Sequence, residues 1–297
     1  MKEGHHYFKM KVGSPDPEDD FMRARAIREE IGPDNVLMMD ANQKWDVNEA
    51  IENMTKLAEF KPMWIEEPTN CDDVIGHRVI GEALRPLGVG VATGEVAQNK
   101  VIFKQLLQPL PGLAEGKLPP IEFCQIDSCR IAGPSEIFSV LLMAAKNDIK
   151  VCPHAGGVGL CEYVRHLSMI DYCCFASSLE GRICESTTHL HEFFEDEVTF
   201  SQDDKGHIRY VAPVAPGFGK MKPPSLRQWV FPEGSGWNDP AKVLGLTDCT
   251  PEVTATLESL KAKAATAMAE DKARAEAVLA RVVLESTDEE NKAMQGH

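Results

Sequence analysis

Two lysines stand two residues apart in Phe8-Lys9-Met10-Lys11, and beyond Lys11 the residues Asp40, Glu66, Glu95, Asp127 and His154 follow at intervals of 29, 26, 29, 32 and 27. Each lies at or just past the C-terminal end of a run that reads as a strand. Asp40, Glu66 and Glu95 would bring three hard oxygen ligands from three neighbouring strands, which suits Mg²⁺ with positions left for water and substrate. Taken singly, each acid also fits a helix cap or a surface charge; three at successive strand ends favour a shared site. Lys9 and Lys11 at i and i+2 leave one face of their strand. Alone they could simply blunt an edge strand, but facing a metal they would repel each other, lowering the pKa of one ammonium so that it acts as a general base. Asp127, one unit before His154, can accept from its ring and support an imidazolium.

The elements that must position these residues alternate regularly. Strand-like runs at Tyr7 to Val12, Val36 to Asp40, Met63 to Ile65, Val89 to Thr93, Phe123 to Ile126 and Lys150 to Cys152 are separated by helical patterns. Those helices cover Pro17 to Ile31, Asp46 to about Phe60, Asp73 to Leu87, about Lys100 to Gln108 and Pro134 to Asn147. Strand-helix repetition argues a parallel sheet with crossover helices, and the regular unit length favours a closed barrel over an open sheet. In a (β/α) barrel the C-terminal strand ends converge on one bowl, so residues far apart in sequence meet there. No G-x-G-x-x-G follows the first strand, and the glycines after His154 read as a loop permitting close substrate approach. The proline-rich loop 109–120 is expected at the opposite, N-terminal face. Thr199 to Val211 reads as a hairpin around Asp204-Lys205-Gly206, Pro213 to Pro224 as turns, and the stretch after Thr250 as a solvated, charged helix. His189 and His191, with no evident carboxylate partner, read as packing or surface residues, and His5 and His6 say little.

A formal charge of −15 over 297 residues repels phosphate backbones, and no basic patch offsets it, so a small-molecule substrate is expected rather than nucleic acid. Nine cysteines, an odd number with no Cys-x-x-Cys pair, fit neither a disulfide framework nor a zinc knuckle and suggest a reducing compartment. No stretch of about 18 apolar residues suggests a membrane span, and residues 1–20 show no presequence.

The set of Lys-x-Lys, Asp in MMDANQKW, Glu in WIEEPT, Glu in ATGE, Asp in QIDSCR and His in PHAGG resembles the mandelate racemase branch of the enolase superfamily, from about residue 5 to Gly219. The runs IGPDNVLMMDANQKWDV, GEVAQNKVIFKQLLQ and VCPHAGGVGLCEYV narrow the likeness to the L-fuconate dehydratases and their eukaryotic mitochondrial relatives. The resemblance implies an α/β fold, an incomplete TIM-like (β/α)7β barrel in which the N-terminal α+β capping domain and first barrel strand do not precede the lysine strand. It divides the chain into a barrel at 1–198, a hairpin and tail at 199–240 and a charged helical extension at 241–297. It further implies an acid on the last strand, Glu185 in RICESTTHLHEFF, beside catalytic Lys9, Lys11, Asp127 and His154, with Mg²⁺ on Asp40, Glu66 and Glu95. The function implied is dehydration of an acid sugar, in a mitochondrial setting, with no nucleic-acid or membrane partner and homo-oligomerisation left open. A hydroxy-acid racemase or epimerase and a non-catalytic relative stay open as alternatives.

Overall fold

The computed structural model of the chain describes residues 3–109, 118–187, 191–217 and 219–222, together with the helical positions Ser259, Ala262, Thr266 and Ala269. Most of the proline-rich loop, His189, the end of the expected turn region and nearly all of the C-terminal extension lie outside the described residues. In chain order the elements are β1 (Tyr7–Lys11), α1 (Pro17–Ile31), β2 (Val36–Asp40), α2 (Val47–Leu57), β3 (Pro62–Glu66), α3 (Val74–Leu84) and β4 (Gly90–Thr93). They continue with α4 (Lys100–Leu106), β5 (Phe123–Cys124), α5 (Pro134–Lys146), β6 (Lys150–Val151), α6 (Leu160–Ile170) and the hairpin strands β7 (Phe200–Gln202) and β8 (Ile208–Tyr210). Strands β1 to β6 form one sheet in sequential order, every pair parallel, giving a barrel-like but incomplete wall.

Local chemistry accounts for the helix starts. Asp16 caps α1, its side chain accepting from the Glu18 amide with Pro17 in the first turn. Asp46 and Glu49 form a reciprocal capping box at α2, an interaction worth about 1 kcal/mol. Asp73 caps α3 by accepting from the Gly76 amide, and Asn99 caps α4 by accepting from the Val101 and Ile102 amides.

Strand alternation divides the core into two layers. Leu37, Met39, Ile65, Val91, Cys124 and Val151 face the helices and join the main hydrophobic cluster, while Met38, Trp64, Ala92 and Cys152 cluster on the inner face. Two residues beyond Met38, Trp64 and Cys152 stand Asp40, Glu66 and His154, so the period of two that builds the inner layer also aims these polar groups into the bowl. Register brings them level: Lys11 pairs with Asp40, and Asp40 with Glu66.

Three features differ from expectation. β5 and β6 are two-residue ladders, shorter than Phe123 to Ile126 and Lys150 to Cys152, and past them the bonds Cys152 N to Cys124 O (2.9 Å) and His154 N to Ile126 O (3.1 Å) still join the two chains. The helix α6 adds an element beyond those read from sequence. Most consequentially, Glu185 lies on no strand. Its segment is held by side chains instead of a ladder, with the Tyr210 hydroxyl donating to the Glu185 carbonyl at 2.7 Å. The eight described cysteines are all free, and among the described residues no helix is long and apolar enough to cross a membrane.

Candidate active site

The inner-face residues meet at the C-terminal strand ends. Asp40 and Glu66 are fully buried there, and Lys9 Nζ lies 2.8 Å from both Glu66 carboxylate oxygens and 2.7 Å from Glu185 Oε1. Burial works against the Lys9 ammonium, but the charges of Glu66 and Glu185 outweigh it and hold its pKa above the ordinary lysine value. The lowered pKa expected of one lysine is therefore not found at Lys9, because two carboxylates, not the neighbouring ammonium, dominate its surroundings. Lys11 pairs with Asp40 Oδ2 and keeps a side chain 60% exposed, against 19% for Lys9.

On the far side, His154 Nδ1 lies 2.6 Å from Asp127 Oδ2. Burial disfavours the imidazolium, yet the bond to Asp127 and the charges of Glu185 and Glu95 prevail and raise the ring's pKa. At Nε2 the Gly156 amide lies 3.2 Å away, a contact that suits a neutral ring, and Glu95 Oε2 lies 3.6 Å away, a contact that suits a protonated one. Burial alone would raise the Asp127 carboxyl, but His154, the Cys129 amide and Arg130 hold it below the usual range. Gly94 has φ +135°, and a Cβ there would lie 3.1 Å from the Gln125 backbone, so only glycine lets the chain turn past β5 to present Glu95.

Glu185 bridges the two halves. Its Oε1 takes the Lys9 ion pair and its Oε2 accepts from the Ala155 amide at 2.7 Å. Burial opposes its ionisation, but Lys9, that amide and His154 bring its pKa below the ordinary value.

The carboxylates do not form a ready-made metal centre. Among the described residues no three His, Cys, Asp or Glu side chains are gathered closely enough to hold an ion. Lys11 holds Asp40, Lys9 spans Glu66, and Arg130 Nη1 sits 3.0 Å from Glu95 Oε1. Yet the donor set fits a hard divalent cation, being all carboxylate oxygen. Burial and the nearby Asp40 push the Glu66 pKa up despite Lys9, and burial with Glu95 pushes Glu67 up to about 7. One buried Glu67 oxygen has no hydrogen-bond partner among the described residues. A cation would relieve all of these.

Three groups of residues escaped the sequence reading. Arg130 touches both Glu95 and Asp127, and its i+3 spacing from Asp127 in QIDSCR was the available signal. Glu67 stood next to Glu66. The third group is a buried polar stripe on and just beyond α6, Glu162, Arg165, Ser168 and Asp171, spaced three apart. Its partners lie along the Glu185 segment and the residues C-terminal to it: Glu162 with His191 (2.6 Å), Arg165 with the Asp196 carbonyl (3.1 Å), Ser168 with Cys184 (3.2 Å) and Asp171 with Arg182 (3.0 Å). The expectation that His191 lacks a carboxylate partner is thus corrected, because Glu162, 29 residues away, supplies one, while the packing role expected of it stands. A cavity of about 820 Å³ adjoins the site and shares Lys9 and Glu185 with it, but neither Lys11 nor His154.

The enolase C-terminal domain-like family model matches residues 1–221. The chain belongs to the enolase superfamily. Within it, human mitochondrial enolase superfamily member 1 is 51% identical over 238 residues, covering 80% of this chain and 50% of the relative. Its crystal structure superposes with a TM-score of 0.72 over 82% of this chain and 51% of that one. L-galactonate dehydratase of Hypocrea jecorina is 44% identical over 242 residues, covering 80% of this chain and 50% of the relative. L-talarate/galactarate dehydratase of Salmonella typhimurium LT2, crystallised with Mg and L-lyxarohydroxamate, is 28% identical with a TM-score of 0.60 over 76% of this chain and 51% of that one. The chain spans about half the length of the curated relatives it matches.

Proposed function

We propose that this enolase superfamily chain carries the acid-base and metal-binding residues of a Mg²⁺-dependent acid-sugar dehydratase, with L-fuconate as the substrate. The observation that supports the reading is the set of proton-handling groups at the C-terminal strand ends, Lys11 closing β1 in an ion pair with Asp40 and the Asp127–His154 pair beyond β5 and β6. Asp40, Glu66 and Glu95 are the residues to hold Mg²⁺ once Lys11, Lys9 and Arg130 release them. Bound there, the ion would supply Lewis-acid stabilisation of negative charge on the substrate carboxylate.

Lys9, which keeps its ion pair with Glu185 when Glu66 turns to the metal, stays an ammonium and adds fixed positive charge beside that carboxylate. Lys11, the more exposed lysine, is the group to take the proton from the carbon next to the carboxylate. His154, whose charged form Asp127, Glu185 and Glu95 favour, gives its Nε2 proton to the hydroxyl on the following carbon, which departs as water. The resulting enol then ketonises to a 2-keto-3-deoxy acid. Asp127 keeps the ring oriented with its proton on the bowl side. L-Fuconate is the 6-deoxy counterpart of L-galactonate, so the substrate of the fungal relative shares its stereochemistry at the reacting carbons and supports this choice. The likeness to human mitochondrial enolase superfamily member 1 supports a mitochondrial location, which fractionation of expressing cells would test.

The deciding experiment follows keto-acid formation from L-fuconate, L-galactonate and other acid sugars with Mg²⁺. Preferred conversion of L-fuconate is expected. Inverted substrate without keto acid would instead indicate a racemase or epimerase, and Mg²⁺ binding without turnover of any sugar would indicate a non-catalytic relative.

A further inference from the structure

A fourth acid stands at the strand ends with no part in the proposed reaction. Glu67 follows Glu66 directly, is 2% exposed, and leaves its Oε1 without a hydrogen-bond partner among the described residues. Its other oxygen, Oε2, lies 3.4 Å from Gln43 Nε2. The charged groups that bear on it are Glu95, Asp40 and Glu66, all negative, and among the described residues no lysine, arginine or histidine pairs with it.

The position is built, not incidental. Glu67 and Gln43 have φ of +40° and +62°, left-handed conformations that non-glycine residues adopt at a cost. The Gln43 amide donates to the Glu67 carbonyl at 2.8 Å, the Glu67 amide to Ala92 O at 2.9 Å, and Gln43 Oε1 accepts from the Cys71 amide at 3.0 Å. Two strained turns, one after β2 and one after β3, thus grip each other and hold a buried carboxylate among three others. An uncompensated buried carboxylate is strongly disfavoured, and its unpaired oxygen calls for a donor that the protein does not supply.

We infer that Glu67 is a further residue of the cation site, accepting through its unpaired oxygen a hydrogen bond from a water carried by the ion that Asp40, Glu66 and Glu95 ligate, with Gln43 as its positioning residue. The inference rests on the Mg²⁺ reading above. Mg²⁺ sheds its waters reluctantly and Ca²⁺ accepts more direct protein oxygens in looser geometry, so a water-mediated carboxylate favours Mg²⁺. Losing an outer-shell partner typically weakens metal affinity about 10- to 100-fold.

The test is calorimetric titration of Mg²⁺ and, separately, Ca²⁺ into the full chain and its Glu67→Gln variant, with melting temperatures in chelator. Glu67→Gln should weaken Mg²⁺ about 10- to 100-fold and Ca²⁺ less, and the cation-free melting temperature should hold or rise because a repelled buried charge is gone. The Mg²⁺/Ca²⁺ ratio decides the matter even if the variant folds less well: an unchanged ratio, or unchanged Mg²⁺ affinity, overturns the role of Glu67 while leaving the metal site standing. Absence of Mg²⁺ binding by the parent chain would instead remove the metal reading, and this inference with it.

Discussion

Replacing Gly156 by alanine places one carbon against the acid of the proposed reaction. A Cβ at that position would sit 2.6 Å from His154 Nε2, about 0.8 Å inside the 3.4 Å at which ordinary contact begins. The ring has little freedom to yield in place, being buried and bonded through Nδ1 to Asp127 at 2.6 Å. A displacement of about 0.8 Å cannot be absorbed by a bond of that length without compressing, stretching or tilting it out of good geometry. A hydrogen bond to a charged group is worth about 1.5–3 kcal/mol, which at about 1.4 kcal/mol per tenfold in rate gives a fall in kcat of roughly 10- to 100-fold. Since Gly156 itself is exposed, global stability should change little. Steady-state keto-acid formation gives the rate, and nitrogen chemical shifts of the His154 ring through a pH titration report whether its pKa drops towards the ordinary histidine value. A variant with parental kcat and an unaltered ring titration would show that the loop, not the imidazole, gives way, and would refute the argument.

Three other outcomes are expected. His154→Asn should abolish dehydration while solvent deuterium still exchanges into the substrate, whereas Lys11→Ala should lose both; mass spectrometry of recovered substrate checks this, and exchange surviving only in Lys11→Ala would reverse the roles. Asp171→Ala strands the Arg182 guanidinium, its side chain 9% exposed, beside the Glu185 segment; breaking a buried pair should cost about 3–5 kcal/mol in urea unfolding, and a loss below about 1 kcal/mol would mean that Asp171 does not anchor the segment. Burial opposes the charged form of His191, but Glu162 raises its folded pKa. The pair should therefore stabilise the fold fully below about pH 6.5 and lose that contribution as pH rises through the raised value. His191→Gln should flatten this fall in denaturation midpoint, and an unchanged slope would contradict it.

The sequence by itself determined what is local or periodic. Asp46 with Glu49 and Asp16 with Pro17 announce helix starts through bonds spanning a few residues, and β2 and β3 announce themselves by alternation. The strand-helix interval turned that local pattern into a convergent set, because equal units around a parallel wall bring equal positions to one rim. Lys9, Lys11, Asp40, Glu66, Asp127 and His154 could thus be singled out without a coordinate. Tertiary structure alone decided how their charges are shared. Lys9 lies between Glu66 and Glu185, 57 and 176 residues away, so no spacing rule foretells that its ammonium is reinforced and not depressed. Glu185 sits where an eighth barrel strand was expected, yet among the described residues its segment joins no ladder, and the polar stripe of α6 and Tyr210 hold it through side chains. The value of Gly156 is likewise invisible in PHAGG, where it reads as a turn, because it depends on the imidazole folding back to within 2.6 Å of a missing side chain. Hydrogen-bonded turns and alternation are written in neighbouring residues; electrostatic balance in a buried site is a sum over distant ones, and only the folded chain sets its terms.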